Sequence, residues 1–185
     1  MDAVLRAQLE SFLKPLYQDL DGLSHFGDVE RIGAIARRLH QPPAESERLE
    51  LELLILFHRL GGWLSHMGNP SRVVFASEGR LSEDLVMRVA VSLGRLDDPG
   101  TEAERAVASA LAIDSAGASG LVHGFFQARR EGRTPIEHAR EVMESEPGVP
   151  PWMGPDAAAW LLARRRRARE LAARILEEHE LRDLA

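Results

Sequence analysis

Seven histidines, at positions 25, 40, 58, 66, 123, 138 and 179, are the side chains of this 185-residue sequence with the widest chemical reach. An imidazole can ligate a metal, relay a proton or close a hydrogen bond inside a core. Cysteine is absent, which excludes disulfides, redox dithiols, thiolate zinc sites and cysteine nucleophiles, and leaves His and carboxylate as the donors for any metal. No two histidines stand four apart as in a helical metal motif, so a metal site would have to combine His25, His58, His66 or His123 with Asp28 or Asp114. Ser24, Ser71, Ser115 and Ser119 have no nucleophile-elbow context, and Gly117 with Gly120 reads as close helix packing rather than a phosphate cradle. The run Arg164-Arg165-Arg166-Arg167, followed by Arg169, offers guanidinium groups to phosphates. On a helix, however, four consecutive residues point around the whole circumference. With Asp156, Glu170, Glu177, Glu178 and Glu180 nearby and a net charge of −6, the run reads as a solvated helix face, and nucleic acid is disfavoured as a partner.

The elements that must position these groups are helical. β-Branched alternation never persists, and no Asn-Gly or Asp-Gly joins two alternating runs, so the fold class is all-α. An N-terminal helix is expected over residues 3–20. Val29, Ile32, Ile35, Ala36 and Leu39 then form an apolar stripe from Asp28, itself a candidate N-cap, to His40, and Gln41-Pro42-Pro43 ends it. From Glu45 to Leu60 the chain is apolar on nearly every side, which predicts a central helix stopped by Gly61-Gly62. Ser82 caps the next stripe, Leu85 to Leu93, and Thr101 with Glu104 forms a capping box for a helix expected to run past Gly117 and Gly120 to Arg130. Thr134-Pro135-Ile136-Glu137 repeats that signal for a helix ended by Glu146-Pro147, and a last helix follows Gly154-Pro155-Asp156 to about Leu181. The length suits one domain, with a core over 28–130 and C-terminal helices over 134–181. No run reaches the ~18 apolar residues of a membrane span, and the start of the chain lacks a basic segment followed by an apolar one. A cytoplasmic location is therefore expected. Lys14 is the single lysine, and this preference for Arg matches a GC-rich bacterial genome.

Three segments in this order, Ser24 to Ile32, Leu56-Phe57-His58-Arg59-Leu60-Gly61, and Leu111 to Leu121, resemble the HD-domain superfamily of helical phosphohydrolases. Gly79 to Val86 extends the resemblance, which covers roughly residues 20–180 and implies a bundle of about seven to eight helices. In the family the first segment carries a metal-binding His, the second the His-Asp pair, and the third leads into another ligand. The resemblance places Asp28, His58, Arg59 and Leu111 at those positions, so only His58 retains its type. An Arg repels a divalent cation and a Leu offers it no lone pair.

The degenerate pattern implies a chain that has lost its metal, needs no cofactor and acts by binding. Asp28 and Arg59 are expected to form a bidentate pair in place of the cation. Arg95, where active members often carry another His, would join them with Asp97 and Asp98 in a buried or semi-buried ionic cluster. If a pocket persists, Arg31, His58, Arg59 and Arg95 favour an anion such as a nucleotide or phosphorylated metabolite; if it is filled, the chain is a protein-interaction module. His58 has the alternative of a core histidine bonded to a backbone carbonyl or a carboxylate, and Asp114 reads as structural. Trp63, Trp152 and Trp160 either seal a core edge or line a ligand pocket or a homodimer contact. The rival class is an enzyme, a phosphohydrolase with non-standard metal ligands.

Overall fold

The computed structural model describes residues 1–18, 20, 26–145 and 148–183. They form helices and connecting turns, with no strand among them. The helices are α1 (Ala3–Gln18), α2 (Phe26–Leu39), α3 (Glu45–Phe57), α4 (Gly61–Leu64), α5 (Asn69–Ala76), α6 (Glu83–Leu93), α7 (Glu102–Ser115), α8 (Ala118–Arg130), α9 (Pro135–Glu144) and α10 (Pro155–Asp183). The all-α expectation holds, and ten helices among the described residues exceed the seven to eight anticipated. Two compact units are present, Met1–Ala110 and Leu111–Ala185, with α7 running across the division.

In the first unit the second half of α3 is central, because Leu51, Leu53, Leu54, Ile55, Leu56 and Phe57 are all buried, whereas Glu45 to Arg48 of its first turn are exposed. It packs against α2, which buries Val29, Ile32, Ile35 and Ala36, and against α6, which buries Val86, Val89, Ala90 and Leu93. Leu5, Leu9, Leu13 and Tyr17, spaced four apart, give α1 a single buried stripe. Ser82 caps α6 by accepting from the Leu85 amide. Gly61-Gly62 does not stop a helix as anticipated. The chain turns at 58–60, and Gly61 opens α4, where an added Cβ would come within 3.1 Å of Leu93 Cβ.

In the second unit α9 packs against both α8 and α10, around Leu121, Ala139 and Ala172, with Phe125, Val142 and Leu176 flanking them. The Thr134–Glu137 capping box that starts α9 is formed, with Thr134 Oγ1 accepting from the Glu137 amide at 3.1 Å and Glu137 Oε2 from the Thr134 amide at 2.6 Å. The single helix expected from 101 to 130 is broken between Ser115 and Ala118, where Gly117 is extended. Gly120 permits the tight return, since a Cβ there would lie 1.6 Å from the Ser115 carbonyl oxygen. Gly124 likewise admits His138, whose Nε2 a Cβ would approach to 1.9 Å. The close-packing reading of Gly120 is thus a requirement of the backbone. Glu146-Pro147, expected to end α9, lies outside the described residues.

Candidate functional site

The end of α3 presents orphan carbonyls, as every helix C-terminus does. Here side chains satisfy them. His58 Nδ1 bonds to the Ile55 carbonyl at 2.8 Å, the Tyr17 hydroxyl donates to the Leu56 carbonyl at 2.9 Å, and the Leu60 amide donates to the Phe57 carbonyl at 2.7 Å. Tyr17 Oη also lies 3.3 Å from His58 Nδ1, and the Tyr17 ring meets Phe26 edge-on with centroids 5.6 Å apart. A carbonyl acceptor at Nδ1 places a proton on that nitrogen, the arrangement that also orients ligating histidines. Burial pushes the Tyr17 hydroxyl well above its ordinary value, outweighing the opposing effects of the Arg59 amide and charge, and the Asp28 charge adds to the rise. Tyr17 was missed in the sequence because a hydroxyl at the fourth position of an apolar stripe reads simply as core.

Asp28 is buried in the first turn of α2, two residues inside the helix rather than at its N-cap. A carboxylate there faces the positive end of the helix dipole. Its ion pair is with Arg31, one turn along, at 3.0 Å. The expected Asp28–Arg59 pair is therefore corrected: the α2 backbone already holds a guanidinium in reach, while the Arg59 side chain is exposed. Both Asp28 and Arg59 remain within electrostatic reach of Tyr17.

The expected ionic cluster around Arg95 is also corrected. Arg95, Asp97 and Asp98 are exposed, and Arg95 Nη2 donates instead to Glu104 Oε1 at 2.6 Å. Glu104 is 0% exposed. Its Oε2 accepts from the amides of Gly100 at 2.7 Å and Thr101 at 3.0 Å, and Thr101 Oγ1 accepts from the Glu104 amide at 3.1 Å. The capping box read in the sequence is thus present and extended by Arg95. Burial pushes the Glu104 carboxyl up, but hydrogen bonds from Ser92, Arg95 and the two amides outweigh it and hold the group below its ordinary value. Leu111 is half-buried on α7, and Asp114 is half-buried in the last turn of that helix.

Among the described residues no three His, Asp or Glu side chains gather as a metal set. The donor chemistry of these positions does not suit a divalent cation: Asp28 faces a guanidinium, position 59 carries a cation and position 111 a hydrocarbon. His25, of the first segment, lies outside the described residues. Comparison with known protein families, curated proteins and solved structures finds no match.

A second polar centre in the first unit was not anticipated. Glu52 on α3 receives Arg37 Nε at 2.5 Å and Nη2 at 2.8 Å, and Arg6 Nη1 at 3.2 Å, tying α1, α2 and α3 together. Burial raises the Glu52 carboxyl, and the bonds and charge of Arg37, with Arg6, lower it further than burial raises it. A residue 15 positions from one partner and 46 from the other leaves no local trace in sequence.

Proposed function

We propose that the chain is a degenerate HD-like helical module that acts by binding an anionic ligand rather than by metal-assisted hydrolysis. One observation carries this reading: the buried carboxylate at the first ligand position is engaged by a guanidinium of its own helix, Asp28 with Arg31 at 3.0 Å. Ion pairing of that kind offsets the negative charge that would draw a metal to the carboxylate. Arg31, Arg59 and Arg95 are all exposed, and Arg31 and Arg95, each already facing a carboxylate, contribute less to anion binding than the sequence suggests. A phosphatase and nucleotidase screen, run with and without added manganese, nickel or zinc, tests the proposal. No turnover under any condition is expected. Turnover that depends on metal and disappears in His58→Ala would establish the rival reading, a phosphohydrolase with non-standard ligands, which the Nδ1-to-carbonyl bond of His58 favours by orienting its ring.

A further inference from the structure

The arginine run of the last helix is not the uniform solvated face that its sequence suggests. Arg165 and Arg169 stand one turn apart on α10 and are half-buried, whereas Arg166 and Arg167 are exposed. Arg165 Nη1 donates to the Gly148 carbonyl at 3.3 Å, and Arg169 Nη2 donates to the Ser145 carbonyl. These bonds bring Ser145 and Gly148 against the helix and hold two like charges side by side. Burial first, and the charge of Arg169 second, keep Arg165 below its ordinary value.

Beside them opens a cavity of about 770 Å³, within the ~300–1,000 Å³ usual for small-molecule sites. Its lining is two-sided. Arg165, Arg166 and Arg169 line one side together with Glu170, and Met143, Val149 and Leu162 supply apolar surface that is otherwise left in water. Guanidinium forks match the oxygens of phosphate or carboxylate, and the apolar wall gains by covering hydrocarbon. Arg165 and Arg169 also line a second cavity of about 260 Å³ with His138 and Gly120, so this guanidinium pair sits between two spaces.

We infer that this cavity of the second unit is a binding site for an amphipathic organic anion, with an oxyanion head on the arginines and an apolar body against Met143, Val149 and Leu162. The site is distinct from the HD-like positions and does not depend on whether those are catalytic.

The test is isothermal titration of the full chain with octyl phosphate, octanoate and inorganic phosphate. Saturable binding of octyl phosphate or octanoate is expected, at least about tenfold tighter than inorganic phosphate. Preference between the two probes identifies the head group as phosphate or carboxylate. Arg166→Glu and Leu162→Glu, both at exposed positions, should each weaken binding at least about tenfold without moving the thermal midpoint. The proposal is overturned if neither probe binds, if inorganic phosphate binds as tightly as octyl phosphate, or if both variants bind like the parent. It is equally overturned if a single-stranded oligonucleotide is bound in preference to both probes, which would make the run a nucleic-acid contact.

Discussion

Replacing Glu104 by Gln removes one negative charge while keeping the shape of a fully buried side chain, so its effect isolates the electrostatics of this cap. Glu104 Oε2 holds two backbone amides, those of Gly100 and Thr101, and Oε1 holds Arg95. If the amide oxygen of Gln takes over the two N–H groups, each bond falls from charge-assisted to neutral, a loss of about 1 kcal/mol apiece. Arg95 is 53% exposed and can rehydrate, so its pair with Glu104 adds only about 0.2–1 kcal/mol. The expected total is about 2–3 kcal/mol, or roughly 5–10 °C in thermal midpoint for a chain of this size. The pH dependence follows from the lowered carboxyl. A group whose folded value lies below its unfolded one stabilises fully above the ordinary value of 4.5, and loses that contribution as pH falls through the folded value. Circular dichroism melts at pH 7 should therefore separate parent from Glu104→Gln, and melts in acid, once Glu104 is protonated, should bring them together. Equal midpoints at pH 7, or a gap that persists in acid, would refute the reasoning.

Other outcomes follow from the same geometry. Arg31→Ala, which strips a guanidinium from buried Asp28 but from a half-exposed side chain, should cost about 1–2 kcal/mol, while Arg59→Ala should stay within about 0.5 kcal/mol in urea denaturation. The reverse order would restore the Asp28–Arg59 pair. Tyr17→Phe leaves the Leu56 carbonyl without its hydroxyl donor, and a loss of about 1–3 kcal/mol in the same assay is expected. Gly120→Ala should destabilise more than Gly124→Ala. The first sets a methyl group against a backbone oxygen that cannot turn aside, the second against the end of the His138 ring, which can rotate at the expense of its edge contact with Phe125. Thermal midpoints of the two variants decide this.

Much of the helical framework is legible because it is written locally. Ser82, Thr101 with Glu104, and Thr134 with Glu137 each make their capping bonds within three residues, and the structure contains all three. Short helices are harder to read: α4 has four residues and α5 eight, too few for an apolar stripe to repeat. The break at Gly117 escapes notice because Gly120 is compatible with a continuous helix until the Ser115 carbonyl is seen lying where its Cβ would be. Charge partners divide in the same way. The Asp28–Arg31 pair lies one helical turn apart and was open to reading from spacing alone, whereas Arg95–Glu104 spans the loop between α6 and α7, and Glu52 joins three helices. Asp28 and Arg59 lie on two separate segments, and the nearer partner on the helix of Asp28, Arg31, makes the contact.

The central claim, that the HD-like positions bind no catalytic metal, is tested most directly by metal content. The chain would be purified without a chelating tag, exposed in turn to manganese, iron, nickel and zinc, freed of excess by gel filtration and analysed by plasma mass spectrometry. Far less than one equivalent of any of them is expected, in the parent and in His58→Ala alike. One equivalent retained by the parent and absent from His58→Ala would contradict it.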